Sequence, residues 1–332
     1  MSGTASWDRV CHAAVSMSAD DASRAEALLE TSPDDLEARV QLIGYFFLNT
    51  DPAAQARRNV HIHWLISHHP EVDLSGYGRI IEDMWPEAYD EAKRRWQAAV
   101  ADHPDDTAIL KNASAFLFVF DPALAEEMLR RGSVLEPESA NWHDSLARLR
   151  IIAARHAESD EDRRVLGRDA RAEYDRALGL EKQPLSRYGL RIHLAEAAYE
   201  AGEYTRAAEE AARVLAEAPD FETTFIFGNG IHRGHIVLGR VALATGDLAS
   251  AREHLIAAGA TRGSPQLNSF GPDFVLAAAL LAAGERDAVV AYLEVCKRFW
   301  KDEQTALERW QNRIERGETP SFQSWSDDAV DE

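Results

Sequence analysis

Cysteine is scarce in this chain: Cys11 and Cys296 are the only two among 332 residues, and they lie far apart in sequence. That excludes a scaffold stapled by several disulfides, and two free, buried thiols are expected. Base is the second shortage. Lys and Arg number 36 against 56 Asp and Glu, a formal charge of −20. Nucleic acid binding needs clustered Lys and Arg at the phosphates, so neither a nucleic acid nor an anionic membrane surface is an expected partner. Long apolar runs are missing too. The longest, such as VLAAALLAAG from Val275, fall well short of a bilayer span. The first residues, MSGTASWDRVCHAAV, have neither the basic nor the apolar region of a secretory leader, and a cytoplasmic protein is expected. Catalytic signatures are absent as well: there is no HExxH, no GxSxG and no GxxxxGKS/T. No enzyme and no cofactor is expected.

What the chain has is a phase. Hydrophobic residues make up 45%, enough for a large core. In four segments a residue and an apolar one four positions on are followed by a proline twelve after the first: Arg58, Ile62 and Pro70; Ala92, Trp96 and Pro104; Ala125, Leu129 and Pro137; Ala207, Ala211 and Pro219. Asp or Glu follows each proline directly, as in HPDD and APDF. A proline there ends a helix, because it cannot donate to the ladder and its ring clashes with the preceding turn. Small residues stand twelve before the small or apolar residue of four second helices: Ala113 before Ala125, Ala195 before Ala207, Gly239 before Ala251 and Ala277 before Val289. In three of them a glycine follows seven later, at Gly202, Gly246 and Gly284. A small side chain lets two helices touch, and the glycine permits the sharp turn between them.

The stretch GNGIHRGHIVLGRVALATGDLASAREHLIAAG, from Gly228 to Gly259, shows the unit whole: one helix, a turn at Gly246-Asp247, and a second helix. With these spacings the chain resembles the tetratricopeptide repeat superfamily over roughly residues 36–300. The resemblance implies an all-α fold, a right-handed α-solenoid of about seven helix pairs with N- and C-terminal capping helices. It also implies a concave face that binds a protein or peptide segment. Residues 1–35 are expected to cap the array and 301–316 to close it. Residues 142–182 are expected to form an extended pair, and the acidic stretch 317–332 to be a disordered tail. The stretches 221–230 and 261–273 read as linkers.

Candidate chemistry is sparse. GNGIHRG resembles a dinucleotide-binding turn, but its third glycine is Gly234, one place late, and its neighbours are helix pairs. His193, His232 and His235 suggest a metal site, and hence the alternative of a metal-dependent enzyme or accessory protein. Against this, His235 occupies a place for a large packing side chain, where it would hydrogen-bond a backbone carbonyl. His61, His63, His68 and His69 read as a surface cluster near a helix end. Among carboxylates Glu196, between Ala195 and Ala197, lies closest to an apolar stripe.

A groove is the more promising place. Arg233, Ile236, Arg240 and Leu243 form a stripe roughly 140° from the packing face of their helix. Leu110, Phe118, Ile192, Glu196 and Tyr199 hold corresponding places, with Asn229 and Asn268 at one rim. Two guanidiniums beside apolar walls suit a carboxylate or an acidic motif on a peptide. The competing expectation is that the stripe is packed and the arginines pair with Glu196 and Glu200. Asn112 takes a leucine position and should be an amide in need of partners.

Overall fold

A computed structural model describes residues 6–301 and 304–322, and among them there are seventeen α-helices and no strand. They are α1 (Trp7–Ala14), α2 (Ala19–Thr31), α3 (Leu36–Tyr45), α4 (Pro52–His68), α5 (Pro86–Asp102), α6 (Thr107–Leu117), α7 (Pro122–Leu135), α8 (Ala140–Arg155) and α9 (Asp160–Leu180). The remainder are α10 (Pro184–Glu200), α11 (Tyr204–Glu217), α12 (Phe227–Ala244), α13 (Leu248–Gly259), α14 (Pro265–Phe270), α15 (Val275–Ala282), α16 (Arg286–Cys296) and α17 (Gln304–Glu315). No described helix is long and apolar enough to cross a membrane.

Proline sets many of these boundaries in both directions. Pro70, Pro104, Pro137 and Pro219 each lie just past the end of a helix, α4, α5, α7 and α11. Pro52, Pro86, Pro122, Pro184 and Pro265 open α4, α5, α7, α10 and α14, where the missing N–H would have had no partner anyway. Side-chain caps do the rest. Ser18, Asp35, Asp106, Ser159 and Asp247 each accept a hydrogen bond from a first-turn N–H. The turn at Gly246 has φ +86°, and Gly202 and Gly284 at the matching offset have φ +78° and +88°. A side chain at that angle would strain the backbone, which is why glycine recurs there.

The chain divides into two compact units, one up to Trp142 and one from His143. In the first, α3 packs against α1, α2 and α4, and contacts then run α4 to α5, α5 to α6 and α6 to α7. Ala22, Ala38, Leu42 and Phe46 form one apolar cluster there. Ala113 and Ala125, the small pair read from the sequence, are both fully buried in α6 and α7. Residues 69–85 contain no helix, so α5 follows α4 without the short first helix that a strict alternation of pairs needs. Asn112 is half-buried, and its Nδ2 donates to the carbonyl of Pro70 at 2.9 Å.

The second unit holds the longest helix, α9, with 21 residues. Here α10 packs on α9 and α11, and α12 packs on α11, α13, α10 and α15; α16 touches α13, α15 and α17. Thus α10 and α11 both reach α12, and α12 and α13 both reach α15. Gly239 is the contact point of α12 with α13 and α15. A Cβ added there would come 2.3 Å from Leu276 and 3.2 Å from the Cβ of His254. The stretches read as linkers are partly helical: α12 begins at Phe227, and α14 lies within 261–273. Of the stretch 317–332, residues 323–332 fall outside the described ones, while Phe322 stacks on Phe274 with ring centroids 5.2 Å apart.

Candidate functional site

Helical spacing in the second unit brings one set of polar side chains together. Arg148, Ile151, Ile152 and Arg155 fall on one face of α8, Ile192, His193 and Glu196 on α10, and Asn229 and Arg233 on α12. With Tyr174, Phe225, Ile226 and Gln266 they line a cavity of about 360 Å³. Three guanidiniums enter it, and Glu196 is the only carboxylate in the lining.

The charges are arranged around Glu196. Its Oε1 accepts from Arg155, and its Oε2 lies 3.2 Å from Nη1 of Arg233. Burial by itself would raise the carboxyl pKa, but the Arg233 and Arg155 guanidiniums outweigh it and hold the value at about 2. The same Nη1 of Arg233 donates to Nδ1 of His193 at 3.3 Å, and the His193 ring stacks on Tyr174 with centroids 5.9 Å apart. Burial, then the charge of Arg233, pushes the His193 pKa down to about 4, so the ring is neutral at pH 7 and free to accept. Half-buried Asp144, one turn before Arg148, has its pKa raised by desolvation. Two guanidiniums, of Arg155 and Arg233, thus converge on the single lining carboxylate.

The expected groove is only partly open. Ile192, Glu196, Asn229 and Arg233 do line the cavity. Leu110, Ile192 and Ile236 are buried, so they serve helix packing, and Phe118 is half-buried in the first unit. Arg240 is a packed residue: it bonds Glu200 at 2.8 Å and lies 3.9 Å over the Tyr199 ring. The expectation that the stripe is packed and its arginines pair with Glu196 and Glu200 thus describes the contacts of both arginines. Asn229 is tied down as well. Its Nδ2 donates to Gln266 at 2.8 Å and its Oδ1 accepts from Ser264 Oγ at 2.7 Å, while Asn268 is exposed.

The histidines do not converge. Both nitrogens of His232 are used: Nδ1 donates to the carbonyl of Ala258 at 3.0 Å, and Nε2 accepts from the N–H of Asp273 at 2.9 Å. His235 faces Nδ1 of His254 at 3.1 Å, so the carbonyl bond expected of His235 belongs to His232. Among the described residues no three His, Cys, Asp or Glu side chains are grouped to hold a metal ion. In the first unit His61 is buried, and half-buried His63 bonds the carbonyl of Ala88 at 2.8 Å, so these two are not part of a surface cluster. The GNGIHRG glycines are contact points. A Cβ on Gly228 would meet the Gly263 carbonyl, on Gly230 the Tyr188 hydroxyl, and on Gly234 Leu215. All three lie inside α12, and no strand precedes it among the described residues.

Sequence reasoning missed Arg148, Arg155 and Tyr174. The available signal was the spacing of Arg148, Ile151, Ile152 and Arg155, an amphipathic face with a guanidinium at each end. Neither models of known protein families nor curated proteins match this chain.

Acid should loosen the second unit. His193 and His235 both have folded pKa values near 4, below the usual histidine value of 6.5, each lowered first by burial. The unfolded chain therefore takes up their protons more readily than the folded one. The stability they contribute is fully present above pH 6.5 and is lost as pH falls toward 4. Each proton bound only in the unfolded state costs about 1.4 kcal/mol per pH unit. Urea midpoints measured along this range should fall steadily, and His193→Gln should flatten the fall.

Proposed function

We propose that the helix pairs are tetratricopeptide-type repeats, that those of the second unit form a stretch of right-handed α-solenoid, and that they bind an anionic segment of a partner protein or peptide. The ligand enters the cavity of Arg148, Arg155 and Arg233, where a carboxylate of the partner shares guanidiniums with Glu196. The observation that carries this reading is that two guanidiniums, those of Arg155 and Arg233, converge on the one lining carboxylate, Glu196, in a chain whose net charge is −20. Charge-assisted bonds of guanidinium to carboxylate are the strong ones, and the buried apolar walls Ile151 and Ile192 strengthen them by excluding water. The repeat reading is supported by the buried small pairs Ala195 with Ala207 and Ala277 with Val289, and by the left-handed turn glycines.

Calorimetric titration with Glu-rich peptides that end in a free carboxylate tests it. The same peptides with Glu replaced by Gln and an amidated end serve as controls. The acidic peptides should bind, and Arg155→Gln should weaken them about tenfold or more. Binding should also weaken as salt rises. Equal affinity for the neutral peptides, or an unchanged affinity in Arg155→Gln, would remove the reading.

A further inference from the structure

One position breaks the repeat phase. Ala92, Ala125 and Ala207 each begin a packing segment and are fully buried, but the corresponding place in α4 holds Arg58, and it is buried too, with 4% of its surface exposed. Its guanidinium reaches only neutral acceptors. Nη1 donates to Gln55 Oε1 at 3.3 Å, and Nη2 donates to the carbonyls of Tyr77 and Arg79 in the helix-free segment 69–85; the Nε–H has no partner. Burial lowers its pKa to about 10, so the group still carries its charge at pH 7. The arrangement differs from that of Arg155, Arg191, Arg233 and Arg240, each of which meets a glutamate.

Arg58 lines a cavity of about 660 Å³ between the end of α3, α4 and the 69–85 segment. No carboxylate is among the lining residues, and a second cation, the exposed Arg79, stands in the lining with no ion pair among the described residues. The walls are apolar and open to water: Leu48 is 71% and Met84 56% exposed, with Phe47 and Ile81 beside them. The volume lies in the range of small-ligand sites. A buried cation without a counter-ion is costly, and apolar walls that face water are costly as well. A single ligand class relieves both.

We propose that this cavity binds a small organic acid, an apolar body that carries one carboxylate. The carboxylate sits between Arg58 and Arg79, and the body covers Phe47, Leu48, Ile81 and Met84. A guanidinium pair matches the planar carboxylate, and the ring of Phe47, 5.4 Å from the Arg58 guanidinium, closes one side. The site lies in the first unit and is independent of the peptide cavity in the second.

The test is calorimetry of the full chain with decanoate, and with decanol as the uncharged match. Decanoate should bind saturably and decanol about tenfold more weakly. Arg79→Ala should bring decanoate down to the level of decanol. Arg58→Met should do the same. If that variant fails to fold, the exposed Arg79 still decides the question. Three results would each overturn the proposal: no saturation with decanoate, equal binding of decanol, or unchanged affinity in Arg79→Ala. A loss of decanoate binding in Arg155→Gln would also overturn it, since it would place the acid in the other cavity.

Discussion

Gly167→Ala should destabilise the second unit by about 3 kcal/mol, although alanine is the better helix former by roughly 1 kcal/mol. Gly167 lies inside α9, and a Cβ there would come 2.4 Å from the backbone nitrogen of Ala201 and 2.5 Å from the carbonyl carbon of Glu200. The obstacle is the main chain at the end of α10, which cannot swing aside as a side-chain tip does. The two helices would have to separate, and that would disturb the burial of Tyr174 and Ala177 on the same face. The same helix supplies its own control. A Cβ added at Gly179 would meet nothing within 4 Å, so Gly179→Ala should be neutral or stabilising by a few tenths to about 1 kcal/mol. Thermal melting of both variants measures the contrast. A loss of about 3 kcal/mol corresponds to roughly 10 °C for a unit of this size. Equal melting temperatures would mean that α9 and α10 are not in contact at Gly167.

The second large effect concerns Glu200, whose side chain is 3% exposed and lies 2.8 Å from Arg240, itself 13% exposed. Arg163 approaches the other oxygen at 3.8 Å but is far more open to water. Two ions withdrawn from solvent hold each other, and removing one strands the other. Glu200→Ala should therefore cost about 3–5 kcal/mol, read as a shift of the urea midpoint. The pair as a whole is worth much less than that figure, because both members were desolvated to form it. Glu200→Leu combined with Arg240→Met should accordingly recover most of the loss. What it does not recover is the stacking of Arg240 over Tyr199 at 3.9 Å, worth about 1 kcal/mol. If the double variant is as unstable as the single one, the buried charges have a role that apolar packing does not replace.

These contacts also show why some of the molecule could be read from its sequence and some could not. Helix ends were legible because proline and capping residues act within a few positions of themselves: Pro70, Pro104, Pro137 and Pro219 each mark a real end. The turns at Gly202, Gly246 and Gly284 were legible for the same reason, since the left-handed backbone angle is a local demand. Gly167 gave no such sign. Its demand comes from the backbone of α10, and nothing near it in sequence records that approach. The missing helix between α4 and α5 was likewise hidden, because the proline period continues across it. The cavity was half legible. Arg233, Glu196 and Ile192 follow from the phase of α10 and α12, but Arg148 and Arg155 lie on α8, where the repeat phase lapses. The fate of Arg240 turned on whether neighbouring helices close over its stripe, which spacing alone leaves open. Arg58 was visible as a departure from alanine, and its meaning appears only with the coil segment that its guanidinium holds.

Glu196, Glu200 and Glu210 are the only buried acids among the described residues, and each faces two arginines. Each buried acid thus has more guanidinium than it needs, and the surplus negative charge of the chain resides at the boundary with water. Two copies of the chain approach each other as like-charged bodies, a long-range repulsion that salt screens. A visitor with positive charge is drawn toward the outside, whereas one with negative charge must cross a repelling shell before it reaches the arginines.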